Sequence, residues 1–228
     1  MTAHFNSLSD GAYTEIINGP VAVEDKPGIY RNFVKRVLET LLVLAASPIL
    51  VPLIVLLSIP LVLKGKNPFY AQRRVGRGGR EFTMWKMKSM VCDADERLAA
   101  HLRENPDARD EWSRLQKLHN DPRVTSYGRF LRRTSLDEIP QFLHVLTGEM
   151  ALVGPRPMMP HQRALYDGDA YFCLRPGITG YWQVSDRNDS EFVTRVAFDE
   201  KYDQEISLKT DIVVLSRTVG AVLKGTGV

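Results

Sequence analysis

Two adjacent carboxylates, Asp137 and Glu138, are the residues of this chain best suited to chemistry. They follow Arg132 and Arg133 in the run RRTSLDEIP. A carboxylate pair beside arginines suits phosphate together with Mg²⁺, because Mg²⁺ is usually held by one or two carboxylates, substrate phosphates and water. An Asp can also attack phosphorus and form a covalent aspartyl phosphate. We therefore predict phosphate chemistry here, with both acids as candidate catalytic and metal-binding residues and Arg132 as a phosphate-binding residue.

A purely structural interpretation of the same residues competes with this one. Ser135 and Glu138 fit a Ser-x-x-Glu capping box at the start of an amphipathic helix over residues 134–150. Acidic residues in a first helical turn also complement the helix dipole. Residue types alone favour this interpretation, although Pro140 is awkward as the fifth residue of such a helix. The two interpretations are compatible, since an acid can cap a helix and still react.

Three further arginines lie in loops rich in proline and glycine. Arg156 stands between two prolines in GPRP, Arg175 precedes Pro176, and Arg187 follows the WQV stretch. Flanking prolines restrict the backbone, and a fixed guanidinium fork suits bidentate phosphate binding. For Arg156 the alternative is an ordinary surface salt bridge. We predict that all three arginines bind phosphate or substrate.

An uncharged stretch over residues 40–63 is the candidate membrane element. As a straight helix of 24 residues it would be about 36 Å long, which is enough for a bilayer core of about 30 Å. Ser47 and Pro48 lie inside it, and proline predicts a bend that leaves two arms too short to span. Basic residues flank both ends, whereas a crossing helix usually shows a charge bias. On the residues alone, a re-entrant and a spanning course both remain open.

The remaining patterns define the fold class and the division of the chain. Alternating apolar residues over 67–91 predict a short strand pair, a charged segment split by Pro106 predicts two surface helices, and residues 209–224 predict a closing helix. We therefore predict an α+β, mainly helical fold that includes a membrane element. Its predicted parts are a flexible leader (1–30), a membrane helix that contains the Ser-Pro break (31–66) and a compact domain with a short β element (67–228).

Charge and cysteine content exclude some classes of function. The formal net charge is +3, an excess that suits an anionic membrane surface or phosphate-bearing substrates. This charge is too small to predict nucleic-acid binding, and the sequence has no recognition motif for nucleic acid. Cys92 and Cys173 are far apart and predict reduced thiols rather than a disulfide framework.

Several motifs occur in an order that resembles the bacterial sugar transferase family. They are TSLDEIPQ at 134–141, LVGPRP at 152–157, RPGITGYWQV at 175–184 and the Ser47–Pro48 break. That family comprises small monotopic phosphoglycosyl transferases that initiate the assembly of exopolysaccharides and other glycoconjugates. The resemblance extends from about residue 33 to residue 226.

The resemblance implies a specific activity and location. Asp137 would be the nucleophile on the β-phosphate of a UDP-sugar, with UDP-galactose or UDP-glucose as the closest likeness, and would release UMP. Glu138 would help to bind Mg²⁺, and Arg132 and Arg156 would bind phosphate. Undecaprenyl phosphate would then accept the sugar phosphate in a ping-pong scheme. The resemblance also implies a monotopic protein. The helix over 31–66, broken at Ser47–Pro48, would be re-entrant in the bacterial inner membrane, with the compact catalytic domain (67–228) on the cytoplasmic face.

One departure from the family pattern and two rival functions stay open. Many relatives carry Gly-Arg-Asn after WQV, whereas this chain has Asp186 in place of the glycine, which makes donor specificity less secure. A non-catalytic membrane scaffold of polysaccharide assembly would bind partners without turnover. A membrane phosphatase or pyrophosphatase would hydrolyse the donor through the same Asp137. The sequence is also compatible with a homo-oligomer.

Overall fold

A long apolar helix comes first in the structure, a computed structural model that describes residues 26–115, 118–185 and 192–223. A π-helical turn, Tyr30–Val34, leads into helix α1, Lys35–Val62. In the part of the chain that the structure describes, this run is the one helix that is long and apolar enough to cross a membrane. Its outward apolar side chains include Leu41, Leu42, Leu44, Ile49, Val51, Val55, Leu56 and Ile59.

Helical structure continues through Ser47 and Pro48 without an interruption in α1. Proline has no N–H, so Pro48 leaves the carbonyl of Leu44 without its usual helical donor. The Ser47 hydroxyl donates to that same carbonyl at 2.8 Å, which supplies a local replacement inside an apolar environment. Residues on either side of the dipeptide therefore belong to one helical run, and the re-entrant course stays a prediction.

Both arms of α1 pack on the same domain. Before Pro48, the Lys35 ammonium bonds Glu39 at 2.6 Å and Asp211 of the last helix at 2.7 Å. After Pro48, the carbonyl of Leu57 accepts the Tyr127 hydroxyl at 2.7 Å. Leu57 and Leu61 are buried in one cluster with Met87, Leu131 and Ile139. The two ends of the apolar helix are thus held by one body of protein.

Two short sheets stiffen the domain. Strands β1, Phe69–Val75, and β2, Glu81–Met87, form an antiparallel pair joined by a 3₁₀ turn at Arg77–Gly79. This confirms the strand pair predicted over 67–91. Strands β3, Ala151–Val153, and β4, Gly177–Thr179, pair in parallel.

Helices make up most of the remaining described chain, which confirms a mainly helical α+β fold. The pair split by Pro106 and the closing helix are present as predicted. In order, the α-helices are α2 Ala94–Glu104, α3 Pro106–Leu115, α4 Ser126–Arg133, α5 Phe142–Thr147, α6 Ala170–Cys173, α7 Tyr181–Val184, α8 Arg195–Glu205 and α9 Leu208–Leu223, with 3₁₀ turns at Leu136–Gln141, Pro160–Leu165 and Phe192–Thr194.

The main core surrounds β3 and includes a residue of the membrane element. Its buried members include Val43, Val145, Met150, Leu152, Val153, Leu174, Tyr202 and Val214. Where the chain leaves β3, the backbones of Gly154 and Gly177 lie so close that a Cβ on Gly177 would overlap the amide nitrogen of Gly154. Glycine permits this approach, which fixes the position of the following loop with Arg156.

Candidate functional site

Asp137 and Glu138 lie in the 3₁₀ turn Leu136–Gln141 and not at a capped α-helix start. Ser135 has a left-handed backbone (φ 56°) and its side chain makes no cap hydrogen bond. The capping-box interpretation is therefore wrong, because an N-cap residue normally has extended backbone and its side-chain oxygen accepts a hydrogen bond from a backbone N–H of the first helical turn. The helix predicted over 134–150 is also shorter: α5 begins at Phe142, after Pro140, and ends at Thr147.

The two carboxylates have different surroundings. Asp137 is buried, with 7% of its surface exposed. Glu138 Oε1 accepts a hydrogen bond from Lys86 Nζ at 2.7 Å and lies 4.0 Å from Arg156 Nη1. A left-handed, non-glycine residue just before such a pair is a feature that clusters at functional sites. The two acids therefore differ in their surroundings: Asp137 is buried, and Glu138 makes the direct contacts with Lys86 and Arg156.

Charges around the pair act on both carboxyl groups. Burial raises the pKa of Asp137 above its ordinary value, and so does the neighbouring charge of Glu138, while Lys86, Arg132 and Arg156 act in the opposite direction. Burial also acts to raise the pKa of Glu138, but Lys86 and Arg156 outweigh it and hold that pKa well below its usual range. The structure therefore brings Arg132, Arg156, Asp137 and Glu138 together, as the sequence predicted.

Lys86 is a site residue that the sequence analysis missed. Along β2, Phe82 and Met84 are buried and Lys86 follows at the next inward position of the two-residue alternation. A lysine at an inward position is the signal that could have identified it. Burial lowers the pKa of Lys86, and the charge of Glu138 raises it. The pair of Lys86 and Glu138 thus links the strand pair to the 3₁₀ turn that carries both acids.

Arg156 is held by an aromatic face and by its loop. Its guanidinium lies 5.8 Å from the centre of the Trp182 ring, within reach of a cation–π attraction. The loop itself is fixed by Arg74 of β1, whose Nη1 donates to the carbonyl of Pro157 at 2.8 Å. Trp182 belongs to the WQV stretch, so the two Pro/Gly-rich motifs meet at this arginine.

Two more arginines, Arg74 and Arg195, extend the positive region. Burial, together with the charge of Arg156, lowers the pKa of Arg74 to about 10. Burial likewise lowers the pKa of Arg195 to about 9, and Arg156 and Arg74 act in the same direction. Arg195 also lies 4.2 Å from the centre of the Trp182 ring. Repulsion among three arginines is relieved by an anion, so this region suits a ligand with several negative charges.

Arg175 and Arg187 are the other two arginines that the sequence analysis predicted to bind phosphate or substrate. Arg175 precedes β4, and its carbonyl packs against Gly154, which places its backbone beside the Arg156 loop. The cations with the largest effects on the two carboxyl pKa values are Lys86, Arg132, Arg156 and Arg74, and Arg175 is not one of them. Arg187 and the departing residue Asp186 lie outside the described residues, so the roles of both arginines stay predictions.

Comparison with known proteins decides the family. The family model "Bacterial sugar transferase" matches residues 30–225, nearly the whole chain and every motif described above. The chain belongs to the bacterial sugar transferase family. This confirms the resemblance that the motifs predicted.

Three relatives of this sugar transferase indicate the class of reaction. A protein of Erwinia amylovora named UDP-galactose-lipid carrier transferase is 46% identical over 86% of the chain. The exopolysaccharide production protein ExoY of Rhizobium meliloti is 41% identical over 94% of the chain. The undecaprenyl-phosphate galactose phosphotransferase of Salmonella typhimurium is 43% identical over 86%. The chain spans 97% of ExoY but 42% of each of the other two.

The acidic pair of this sugar transferase offers carboxylate oxygens, which are ligands that Mg²⁺ prefers. Among the residues that the structure describes, His, Cys, Asp and Glu do not assemble into a group of three or more that could hold a metal ion. Mg²⁺ does not need such a group, because it commonly binds one or two carboxylates and takes its remaining oxygens from substrate phosphate and water. Asp137 and Glu138 therefore fit Mg²⁺ that arrives with a phosphorylated substrate.

Proposed function

We propose that this chain transfers hexose 1-phosphate from a UDP-sugar to undecaprenyl phosphate and releases UMP, as the first step of exopolysaccharide assembly. The observation that carries the proposal is a carboxyl pair, the buried Asp137 and the half-buried Glu138, surrounded by Lys86, Arg132 and Arg156 in a member of this family. The names of the relatives from Erwinia and Salmonella support a UDP-galactose donor and an undecaprenyl phosphate acceptor. UDP-glucose is the second candidate donor.

The transfer proceeds in two displacements at one phosphorus atom. An oxygen of Asp137 attacks the β-phosphorus of the donor, and the bond to the bridging oxygen breaks so that UMP leaves with its electron pair. A phosphate oxygen of undecaprenyl phosphate then attacks the same phosphorus and frees the Asp137 carboxylate. Because each step exchanges one phosphorus–oxygen bond for another, no proton donor is needed.

The cations around Asp137 counteract the repulsion between an anionic nucleophile and an anionic donor. Arg156 and Lys86 face Glu138, and Arg132 acts on Asp137 from α4. Fixed positive groups in a partly buried site stabilise charge that develops on the transferring phosphoryl group. Glu138 and Asp137 would hold Mg²⁺, which when bound supplies further charge neutralisation to the phosphates.

The packing of α1 supports a re-entrant course at the cytoplasmic face of the inner membrane. Lys35 before Pro48 and Leu57 after it both contact the same domain, whereas a helix that crossed the bilayer would leave one end remote from a domain on one side. The exposed apolar residues between these contacts would face lipid. Such placement puts the active site at the interface, where the acceptor phosphate lies, and gains the advantage of proximity.

Cysteine labelling tests this topology. With Cys173 replaced by Ala, we expect a Ser7→Cys probe in the leader to behave like Cys92, which is exposed on the catalytic domain. Both should react with an impermeant maleimide in inside-out membrane vesicles and be protected in right-side-out vesicles. Labelling of Ser7→Cys in right-side-out vesicles, with Cys92 still protected, would contradict the re-entrant course.

The activity itself is tested by UMP release from purified protein in nanodiscs with Mg²⁺ and a panel of UDP-sugars. We expect multiple-turnover UMP release that depends on undecaprenyl phosphate, with UDP-galactose or UDP-glucose preferred and at most one equivalent of UMP released without the lipid. Equal UMP release with and without the lipid acceptor would favour a phosphatase or pyrophosphatase. Folded protein that releases no UMP from any donor would favour the scaffold.

Arg156→Lys provides a finer test of how donor phosphate is bound. Lysine keeps the charge but lacks the planar fork and stacks less well on Trp182. We expect kcat/KM for the UDP-sugar to fall by about 10- to 100-fold, measured as initial UMP release at saturating acceptor. The matched control is Arg163→Lys, because Arg163 stacks on a different ring, Phe172, at 5.3 Å. Equal kcat/KM for the two variants would contradict the role of Arg156.

A further inference from the structure

Gln141 is a buried polar residue of the candidate site that has no role in the two displacements proposed for the transfer. It ends the 3₁₀ turn that carries Asp137 and Glu138, and 2% of its surface is exposed. Among the described residues, its amide nitrogen has no hydrogen-bond partner. A buried N–H group without an acceptor destabilises the folded protein, so native proteins seldom retain one without a reason.

Gln141 lines a small recess beside the acidic pair. The recess is also lined by Arg74, Lys86, Glu138, Arg156, Met84 and Pro157. Arg74 contributes a second such N–H group: its two terminal nitrogens bond Pro157 and Gln72, whereas its buried Nε has no hydrogen-bond partner within residues 26–115, 118–185 and 192–223. In the described part of the chain, two residues of one recess therefore each have an N–H group without an acceptor.

The residues that line the recess indicate which kind of hydrogen-bond acceptor would fit there. A group that satisfies two N–H donors must offer several oxygen lone pairs, and one that lies among Arg74, Lys86 and Arg156 should carry negative charge. A sugar hydroxyl meets the first requirement but not the second, whereas a phosphate oxygen meets both. The recess has about 10 Å³ of space, which is room for one such oxygen and not for a whole phosphate. Glu138, the neighbour of Asp137, lines the same recess, so the phosphate in question is the one that Asp137 would attack.

We propose that Gln141 is a substrate-binding residue whose amide N–H bonds the β-phosphate of the nucleotide-sugar donor, together with Arg74. This inference rests on the proposed function for the identity of the donor. It assigns a purpose to both unpaired donors: each is satisfied only when substrate is present. Gln141 thereby lowers the stability of the ligand-free protein and raises the affinity for the phosphate.

Gln141→Met tests the assignment, because methionine nearly conserves volume and removes the amide. Without a bound UDP-sugar, we expect the variant to unfold at the same temperature as wild type or higher, since a buried N–H group without an acceptor is lost. We also expect kcat/KM for the UDP-sugar to fall by about 10- to 100-fold, as for a lost hydrogen bond to a charged group. Affinity for UDP, measured by calorimetry, should fall by a similar factor, and affinity for UMP should not change.

Gln162→Met is the matched control. Gln162 is also buried, at 4% exposure, but its side-chain oxygen accepts the backbone N–H of Met159 at 2.9 Å. Removing this paired amide should lower the unfolding temperature and leave kcat/KM and UDP affinity unchanged. The two glutamines should therefore show opposite patterns of stability and catalysis.

Three outcomes would overturn the assignment. Unchanged kinetics with raised stability in Gln141→Met would mean that only water meets the amide. A fall in kcat/KM without loss of UDP affinity would place the sugar, and not the phosphate, against Gln141. Weakened UMP binding would move the contact to the α-phosphate. Wild-type protein that binds UDP through Gln141 but releases no UMP would leave this inference intact and contradict the proposed function instead.

Discussion

Asp137→Asn should abolish transfer, with kcat reduced by at least about 10³-fold, because an amide cannot displace UMP from the donor. The loss should appear both in UMP release and in formation of the lipid-linked sugar phosphate. It should not be restored by higher donor concentration, since the substitution removes the reacting atom and not a binding contact. Lipid-linked product measured by scintillation counting after solvent extraction gives the cleanest readout.

The same variant should remain folded. Burial raises the pKa of Asp137 in the folded protein, so at neutral pH the ionised form is disfavoured by folding, and a neutral amide relieves that cost. We expect the unfolding temperature of Asp137→Asn to equal or exceed that of wild type. Asp167→Asn, at an exposed position, should retain full activity and stability. Residual turnover within tenfold of wild type in folded Asp137→Asn would rule out nucleophilic attack by this residue.

Lys86→Met should have the second largest effect, on rate, pH dependence and stability together. Lys86 is the largest charge acting to lower the pKa of both Asp137 and Glu138. Without it both pKa values rise, so a smaller fraction of Asp137 is ionised, and the site loses a positive charge that attracts the donor phosphates. We expect the rate of UMP release at pH 7 to fall by roughly 10²-fold.

The sign of the pH effect follows from the state that reacts. Asp137 must be ionised to attack, so the rate falls as pH falls through its pKa, which burial already raises above the ordinary value. A further rise on loss of Lys86 moves the acid limb of the pH–rate profile to higher pH. A profile measured from pH 5 to 9 should show this displacement in Lys86→Met and not in Lys201→Met, which removes an exposed lysine of α8.

Stability should fall as well, because Glu138 would lose its closest partner. The side chains of Lys86 and Glu138 are 17% and 21% exposed, so we expect a loss of about 2–3 kcal/mol, less than the ~3–5 kcal/mol typical of a broken pair that is fully buried. Denaturant unfolding in detergent checks this value. An unshifted acid limb with unchanged stability would show that Lys86 does not act on the acidic pair.

The elements that sequence could predict are those determined by local pattern. Alternation over 67–91 predicted the β1–β2 pair, and Pro106 correctly separated α2 from α3. These signals are local, since strand alternation and proline act over a few residues. The parallel pairing of β3 with β4 joins segments about 25 residues apart through close contacts of glycine backbones, and residue periodicity does not encode such contacts.

The site divides in a similar way. Asp137, Glu138, Arg132 and Arg156 could be predicted because they lie in short motifs whose residue types already suggest phosphate chemistry. Lys86 and Arg195 are far from those motifs in sequence and reach the site through β2 and α8. The capping-box prediction failed because the left-handed backbone of Ser135 is a tertiary feature that the Ser-x-x-Glu pattern does not reveal.

Trapping the covalent intermediate tests the central claim most directly. Wild-type protein in nanodiscs would be mixed with UDP-galactose or UDP-glucose and Mg²⁺ without lipid acceptor, quenched in acid and digested for mass spectrometry. We predict that the peptide containing Asp137 gains the mass of one hexose phosphate, that undecaprenyl phosphate removes the adduct, and that Asp137→Asn never acquires it. UMP release accompanied by unmodified Asp137, or by an adduct on another residue, would contradict the account.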